Sequence, residues 1–309
     1  MTQPAFLNLV LLSGNTEEKL QAARDAGFDQ VEIWREDVDA SRQGAAHLAQ
    51  QGLGFTNLQV LRDFTGAPGE LRRQKRDELR QFIEMAQALG CDTLQAPATT
   101  REDCIAGQID EDLRWLASEA ARFDMRIMYE PMAWCSVDNT LPKAWERLQR
   151  LDQPNIGLVV DLFHICALGG DASHLDNIPA ERIYEVQLCD MAVQPSPQDK
   201  EAIMTLAKHQ RQLPGAGIID IGSFVDKLKS ANYQGPIGIE VFNDDLKRLP
   251  PDFIADPFPW YHALRSHAPV HRMPDGAYLL TRWRDCDAVY RDAQTFSSDK
   301  KVEFAPKFG

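Results

Sequence analysis

Short apolar segments alternate with longer segments of helical character along most of this chain, and this alternation is its most restrictive feature. Eight apolar segments have the length of a strand: Phe6–Leu12, Gln30–Trp34, Gly54–Leu61, Thr93–Ala96, Arg126–Glu130, Gly157–Asp161, Ile183–Leu188 and Pro236–Phe242. Strands that alternate with helices predict a parallel sheet joined by right-handed crossovers. Eight such units fit a closed (β/α)8 barrel better than an open doubly wound sheet, so we expect an α/β barrel.

The segments between the predicted strands carry the signals that begin and end helices. Asn15, with Glu18 three residues later, is typical of a helix N-cap and its partner. Gly27, Gly52 and Gly90 stand where helices are expected to end before the next strand. No Gly-x-Gly-x-x-Gly or Walker-type loop follows a strand in the sequence, which argues against a nucleotide-binding sheet.

Polar residues close the last four predicted strands: Glu130, Asp161, Gln187 and Glu240. A buried carboxylate is unfavourable unless a partner compensates its charge, and each of these residues taken singly is more often structural than a ligand. In a barrel, however, the C-terminal ends of the strands converge on the face where active sites lie. Three carboxylates and one amide oxygen suit Mg²⁺ or Mn²⁺, with Co²⁺ possible, and the absence of His or Cys argues against structural zinc.

Three further residues near strand ends are candidates for this site. His164 follows Asp161 by three residues, where an imidazole that titrates near neutral pH can act as a general base, although a lone His is usually a surface or hydrogen-bonded residue. Glu32 ends the second predicted strand and is either a substrate or supporting group or part of a salt bridge inside the barrel. Glu185 faces the same side as Gln187 by strand alternation, with no role that the sequence suggests.

Arginines close to two strand ends suit an acidic substrate. Arg62 closes the third predicted strand, and Arg211 lies beside His209 in the loop before the eighth. The guanidinium fork matches a carboxylate with two parallel hydrogen bonds. Either residue alone is more simply interpreted as a solvated surface arginine.

Composition excludes several classes of protein. The net charge of −13 argues against nucleic acid as a partner, because phosphate binding requires clustered Lys and Arg. The 6 cysteines are scattered without a Cys-x-x-Cys pair, as expected of reduced thiols in a cytoplasmic protein. The apolar run that begins the chain is too short for a signal peptide or a membrane span, so no membrane association is expected.

A change of character after the eighth strand predicts a boundary near residue 250. Residues 1–250 form the predicted barrel, and residues 251–309 form a short C-terminal extension that follows the break Leu249-Pro250-Pro251. Within the extension, Trp260–His267 has helical character and Tyr278–Thr281 that of an edge strand. Phe258–Leu264 is a candidate apolar cover for the last barrel strand.

Several motifs resemble the xylose-isomerase-like TIM barrels, and among them the bacterial 3-dehydroshikimate dehydratases most. The motifs lie between about residues 5 and 248: Leu-Gln-Val-Leu-Arg-Asp-Phe (58–64), Tyr-Glu-Pro-Met-Ala-Trp (129–134), Val-Asp-Leu-Phe-His (160–164), Glu-Val-Gln-Leu-Cys-Asp (185–190), His-Gln-Arg-Gln-Leu-Pro-Gly-Ala-Gly (209–217) and Ile-Glu-Val-Phe-Asn-Asp (239–244). Two positions depart from the family pattern: Cys135 replaces a common Gly, and the fourth loop reads Gln-Ala-Pro-Ala-Thr-Thr (95–100).

The resemblance implies a metal-dependent lyase that removes water from 3-dehydroshikimate, a small anionic substrate, and releases protocatechuate. It assigns the divalent cation to the four strand-end residues named above and a catalytic role to His164. It assigns substrate contacts to Arg62, His209 and Arg211. The metal would polarise the substrate ketone, and His164 would take a proton from the neighbouring carbon. A homo-oligomer is possible.

The tail resembles a different family, the start of a bacterial haem-thiolate monooxygenase of the cytochrome P-450 type. The resemblance rests on residues 256–270, 279–289 and 295–298. The haem-ligating Cys loop of that fold has no counterpart here, since Cys286 does not stand in such a loop, so no haem is expected.

Three other functions remain open. A sugar or hydroxypyruvate isomerase or epimerase of the same superfamily would use Glu130 and Glu240 to shuttle a proton, with Glu240 as a catalytic residue. A barrel retained only to dock a monooxygenase would bind metal without turnover. A DNA-repair endonuclease of the same superfamily is disfavoured by the acidic charge and by the lack of histidines for a three-zinc site.

Overall fold

A computed structural model describes residues 3–246, 270–272, 278–280 and 282–291. Eight parallel strands form a closed barrel in sequence order, and the eighth strand pairs with the first. The strands are β1 (Ala5–Asn8), β2 (Gln30–Trp34), β3 (Gly54–Gln59), β4 (Thr93–Pro97), β5 (Arg126–Glu130), β6 (Ile156–Asp161), β7 (Ile183–Leu188) and β8 (Ile237–Ile239). The predicted (β/α)8 barrel is confirmed.

Helices follow the strands and cover the outside of the barrel. They are α1 (Thr16–Asp25), α2 (Arg35–Ala40), α3 (Ala45–Leu48), α4 (Gly69–Leu89), α5 (Ile109–Ala121), α6 (Leu141–Leu151), α7 (Leu162–Ala167), α8 (Lys200–His209) and α9 (Ile221–Ser230). One continuous apolar core joins their inner faces to the strands. Within the described residues, none of the helices has both the length and the apolar character needed to cross a bilayer.

Three predicted strands are shorter in the structure: Phe6–Leu12, Gly54–Leu61, which ends at Gln59, and Pro236–Phe242. The predicted strand Phe6–Leu12 ends at Asn8, because the Asn8 side chain accepts a hydrogen bond from the backbone N–H of Val10 and begins a 3₁₀ turn at Leu9–Leu11. The predicted strand Pro236–Phe242 contracts to Ile237–Ile239.

The predicted helix boundaries also match the structure. Asn15 and Glu18 form a capping box at the start of α1, with each side chain accepting a hydrogen bond from the other's backbone N–H. Gly90 ends α4 in the left-handed conformation with φ of 71°, which a glycine adopts without steric cost.

The chain divides into two compact units, residues 1–249 and 250–309. In the second unit, β9 (Val270–Arg272) pairs antiparallel with β10 (Tyr278–Leu280), and α10 (Trp283–Arg291) follows. A strand is therefore present at Tyr278–Leu280, as predicted. The predicted helix Trp260–His267 and the predicted apolar cover Phe258–Leu264 lie outside the described residues. The resemblance of the tail to a monooxygenase stays a prediction.

Candidate metal centre and substrate cavity

A cavity of about 440 Å³ opens at the C-terminal ends of the barrel strands. Polar and aromatic side chains from most of the strands and their loops line it: Trp34, Gln59, Arg62, Asp63, Gln95, Thr100, Glu130, Trp134, His164, Lys208, Arg211, Glu240 and Phe242. Active sites of α/β barrels lie on this face. The cavity is therefore the first place to look for the predicted centre.

Glu130 is the last residue of β5 and lines the cavity, although its side chain is almost completely buried. Its Oε2 accepts a hydrogen bond of 2.7 Å from Gln95 Nε2 on the neighbouring strand. Burial, together with the negative charges of Asp161 and Glu32, raises the pKa of Glu130 to about 8. A positive charge placed beside this carboxylate would stabilise its ionised form.

Asp161 ends β6 and also begins α7, since its Oδ1 accepts a hydrogen bond of 2.7 Å from the N–H of Phe163. This helix start turns His164 back over the strand end, where its Nε2 lies 3.5 Å from Asp161 Oδ2 and 3.6 Å from Glu130 Oε1. The carboxylates and the imidazole thus have ligand atoms within 4.8 Å of one another, a spacing that can hold a metal ion.

The environment of His164 keeps its imidazole neutral. The ring is buried, and it meets the rings of Trp134 and Phe163 edge-on at centroid distances of 4.8 and 5.5 Å. Burial lowers the pKa of His164 to about 4, although the charge of Asp161 opposes the shift. A neutral imidazole can accept a proton or coordinate a metal, and its buried Nδ1 has no hydrogen-bond partner in the described part of the chain.

Gln187 lies on β7 and pairs in register with Asp161 of the neighbouring strand β6. Its amide nitrogen donates to Glu32 Oε1 at 2.9 Å, which turns the amide oxygen away from Glu32. That oxygen, Oε1, is buried and lacks a hydrogen-bond partner among the described residues. Because buried polar atoms are rarely left unpaired, an oxygen in this position fits a missing ligand.

Glu240 follows β8 directly and is also buried. Its Oε1 accepts 2.8 Å from Asn8 Nδ2, and its Oε2 accepts 3.1 Å from Arg211 Nη1. Burial raises the pKa of Glu240 well above the usual range for a carboxyl group, against the favourable charge of Arg211. We call Glu130, Asp161, His164, Gln187 and Glu240 the upper cluster.

Arg211 is the sole buried lysine or arginine in the described part of the chain, and it bridges two carboxylates of the upper cluster. Its Nη1 donates to Asp161 Oδ2 at 2.8 Å as well as to Glu240. The rings of Phe163 and Phe242 lie 4.8 and 5.4 Å from the guanidinium carbon. The positive charge lowers the pKa of Asp161 even though burial acts in the opposite direction.

A buried aspartate fixes the loop that carries Arg211. Both oxygens of Asp190 accept backbone N–H groups, at 2.8 and 2.9 Å from Met191 and Ile219 and at 3.1 and 2.9 Å from Gly215 and Gly217. A Cβ at residue 217 would lie 2.2 Å from the carbonyl oxygen of Met191, so the loop can pack this closely only with glycine there. The loop is thereby tied to the end of β7.

A second polar layer lies one step deeper in the barrel, and we call Glu32, Asn57 and Glu185 the deep layer. Each of these residues stands two positions before a residue that lines the cavity or belongs to the upper cluster. Because side chains alternate along a strand, residues two positions apart face the same side. All four carboxylate oxygens accept hydrogen bonds from the side-chain amides of Asn8, Asn57 and Gln187. Burial and the charge of Glu32 raise the pKa of Glu185 well above its usual range, and burial also raises the pKa of Glu32.

The predicted substrate residues differ in whether they line the cavity. Arg62 lines the cavity, over the ring of Trp34, and pairs with Glu36 at 3.2 Å. His209 is not among the described residues of the cavity wall; it is about half exposed and lies 2.9 Å from Asp244. Glu32 is fully buried beneath the cavity, where it orients Gln187 instead of facing a substrate.

Sequence reasoning missed several residues of this region, among them Asn8, Gln95, Trp134 and Lys208. Asn8 and Gln95 are polar residues inside apolar strands, which is the same signal that identified Gln187, and both hold a carboxylate of the upper cluster. Trp134 and Lys208 stand in loop or helix-end positions, where aromatic and basic residues are common and carry no distinctive pattern.

Comparison with known families accounts for this arrangement. A profile of the xylose isomerase-like TIM barrel family matches residues 20–265, so the chain belongs to this family. Its barrel, with polar side chains gathered at the C-terminal ends of the strands, is the fold expected of such a protein.

Two relatives and one solved structure are similar over most of the barrel. The chain is 34% identical over 247 residues to a 3-dehydroshikimate dehydratase of Pseudomonas aeruginosa, an alignment that covers 78% of this chain and 38% of the relative. It is 27% identical over 179 residues to an inosose isomerase of Halalkalibacterium halodurans, covering 56% of this chain and 61% of that protein.

The solved structure is that of a xylose isomerase-like TIM barrel/4-hydroxyphenylpyruvate dioxygenase fusion protein. It superposes with a TM-score of 0.74 at 30% identity and covers 79% of this chain and 39% of the fusion protein. The chain thus spans about two fifths of the length of this structure and of the Pseudomonas relative, at 39% and 38%.

Proposed function

We propose that this chain is a divalent-metal-dependent dehydratase that removes water from 3-dehydroshikimate, or a similar cyclic keto acid, and releases protocatechuate or the corresponding aromatic acid. The observation that carries the proposal is an excess of buried acid. Glu32, Glu130, Asp161, Glu185 and Glu240 are all buried in the barrel interior, whereas Arg211 is its one buried basic side chain with a permanent charge in the described part of the chain. A cation bound at the upper cluster would compensate this charge.

The donor set fits Mg²⁺, Mn²⁺ or Co²⁺. Glu130 and Asp161 offer carboxylate oxygens within reach of one another, and the unpaired Oε1 of Gln187 offers a neutral oxygen. Glu240 can complete the set while it keeps its hydrogen bonds to Asn8 and Arg211, because each carboxylate oxygen has two lone pairs. When bound, the cation supplies electrophilic polarisation of the substrate carbonyl.

His164 carries the proton transfers in this proposal. Its neutral ring stands at the cavity wall and takes a proton from the carbon next to the ketone. The same ring then returns the proton to the departing hydroxyl group, which leaves as water. Trp134 and Phe163 exclude solvent from two sides of the ring, and this protects the proton from exchange.

One assay tests the proposal. Purified protein with 3-dehydroshikimate and Mn²⁺ is expected to produce the ultraviolet absorbance of protocatechuate, and EDTA is expected to abolish it. A protein that binds metal but turns over no keto acid would contradict the proposal.

A second candidate is an isomerase or epimerase of a cyclic or linear ketose, favoured by the similarity to an inosose isomerase. That chemistry would use Glu130 and Glu240 as paired proton carriers. Both oxygens of Glu240 already accept hydrogen bonds, from Asn8 and Arg211, which makes it a poor base in this arrangement. The same assay with a panel of ketoses, followed by chromatography of the products, separates the two functions.

A further inference from the structure

Three basic side chains line the cavity: Arg62, Lys208 and Arg211. They differ in whether another group of the protein already balances their charge. An acid substrate needs a positive charge that is not already satisfied within the protein. The cavity wall also carries carboxylates, and these repel an anion unless such a charge lies close to where the anion binds.

Arg211 is already engaged. Its Nη1 donates to Asp161 and Glu240, and its Nε donates to the carbonyl oxygen of Ala207 at 3.0 Å. The charge of this buried guanidinium compensates the upper cluster. Turning it toward a substrate carboxylate would leave two buried carboxylates without their partner.

Arg62 is partly engaged at the outer edge of the cavity. It pairs with Glu36 at 3.2 Å, and the side chains of both residues are more than half exposed, at 56% and 63%. The guanidinium also lies over the ring of Trp34, 5.5 Å from its centroid. Glu36 therefore already balances the charge of Arg62 at this edge of the cavity.

Lys208 differs from both arginines. It is exposed in the last turn of α8, it lines the cavity, and it makes no ion pair within the described part of the chain. Its Nζ lies 5.8 Å from the ring centroid of Trp134, and Trp134 packs edge-on against His164. The lysine ammonium therefore shares an aromatic wall with the proposed base.

We propose that Lys208 is the group that binds the substrate carboxylate and selects an acid over the corresponding neutral ring. This inference rests on the proposed function, because it names the feature of the cavity that recognises the acid. The Trp134 ring holds the lysine ammonium at the cavity wall, where the ammonium can pair with a carboxylate on the ring substrate. The carbonyl oxygen of the adjacent Ala207 accepts a hydrogen bond from Arg211, which ties the backbone beside Lys208 to the upper cluster.

A binding experiment tests the assignment without relying on turnover. Protocatechuate and catechol share the same diol ring and differ in the carboxylate, so their ratio of Kd values measures carboxylate recognition in one Mg²⁺ buffer. The protein is expected to prefer protocatechuate by roughly tenfold to a hundredfold, as for hydrogen bonds to charged groups. Lys208→Met is expected to reduce this preference to within about twofold, and Lys208→Arg to retain most of it.

Matched variants identify the source of the preference. Lys200→Met lies on the same helix outside the cavity wall and is expected to behave like the unmodified protein. The assignment is overturned if the unmodified protein shows no preference, if Lys208→Met keeps it, or if Arg62→Met removes it while Lys208→Met does not.

Kinetics separate this inference from the proposed function. Dehydratase turnover with an unchanged KM in Lys208→Met would remove the inference and leave the function standing. A preference for the carboxylate that depends on Lys208, in a protein without dehydratase activity, would support the inference and contradict the proposed function. If both hold, KM for 3-dehydroshikimate rises roughly tenfold to a hundredfold in Lys208→Met while kcat changes by less than about threefold.

Discussion

The deep layer and the upper cluster both contain buried carboxylates and an amide, but their polar atoms differ in how many hydrogen-bond partners they have. In the deep layer, each oxygen of Glu32 and Glu185 accepts from a side-chain amide, and among the described residues only Asn57 Oδ1 of this layer is buried without a partner. In the upper cluster, His164 Nδ1 and Gln187 Oε1 are buried without partners among the described residues. The deep acids therefore form a self-contained support, whereas the proposed cation would give Gln187 Oε1 of the upper cluster the partner that it lacks.

The difference shows how a barrel interior separates support from chemistry. Gln187 joins the two layers, because its amide nitrogen belongs to the deep hydrogen bonds and its oxygen to the upper cluster. The hydrogen bond at the amide nitrogen therefore fixes the direction of the amide oxygen. A site whose ligands are oriented in this way does not need to rearrange when a cation arrives.

The largest expected effect concerns His164. Replacing it by Gln is expected to lower kcat for dehydration by about 10²–10⁴-fold, the usual contribution of a general acid or base. The number of cations bound per chain is expected to stay the same, because the proposal assigns the cation to other residues. Equilibrium dialysis together with steady-state kinetics measures both quantities, and loss of the cation would make His164 a ligand instead.

Removing Arg211 tests whether the upper cluster lacks positive charge. Arg211→Met is expected to lower the free energy of unfolding by about 3–5 kcal/mol in EDTA, because two buried carboxylates lose their partner. With a saturating divalent cation the loss is expected to shrink. Arg122→Met, which removes a surface pair with Glu119, serves as a control and is expected to cost less than about 1 kcal/mol. An equal loss with and without metal, measured by urea unfolding, would contradict the account.

Two variants of the deep layer test whether it is already complete. Glu32→Ala removes the acceptor for amides of Asn8, Asn57 and Gln187 and is expected to cost roughly 3 kcal/mol in unfolding free energy, the scale of unsatisfied buried donors. Glu185→Gln is expected to cost less than about 1 kcal/mol, because a raised pKa keeps Glu185 protonated and the amide has a similar shape. Urea unfolding measures both, and equal losses would refute the assigned protonation.

The pH dependence of stability gives the smallest expected effect. The raised pKa of Glu130, about 8, means that the folded metal-free protein holds a proton that the unfolded chain has released. Between pH 6.5 and 8, where most of the opposite change due to His164 is already complete, the unfolding free energy in EDTA is expected to fall by about 1–2 kcal/mol.

A bound cation is expected to flatten or reverse this slope, since it favours the ionised carboxylate. Urea unfolding at three pH values, with and without Mg²⁺, measures the effect. A metal-free protein whose stability rises from pH 6.5 to 8 would contradict the protonation assigned to Glu130.

Much of the barrel and the acidic strand ends could be predicted from sequence. The alternation of apolar strands with helices predicts a parallel sheet. A polar residue at the end of an apolar run, such as Asp161, can be recognised in the sequence alone. Asn15 and Glu18 likewise identify a helix start because the capping contact is local. These predictions depend on residues that are close together in the chain.

The remaining predictions depended on contacts between distant residues. The family resemblance assigns Arg211 to the substrate, but its guanidinium pairs with Asp161, 50 positions away. The sequence contains no signal for that pairing. His209 faces Asp244 at the surface because α8 ends there. Glu32 lies in the middle of β2, not at its end, and its side chain therefore belongs to the deep layer. The sequence pattern does not distinguish these two levels of the barrel interior.

Counting the divalent cations bound per chain tests the central claim most directly. Protein freed of metal with EDTA and titrated with Mn²⁺ in a calorimeter is expected to bind a single cation at the upper cluster, and Asp161→Asn is expected to lose this binding while remaining folded. Titration that detects no cation, or binding that persists unchanged in both Asp161→Asn and Glu130→Gln, would contradict the account.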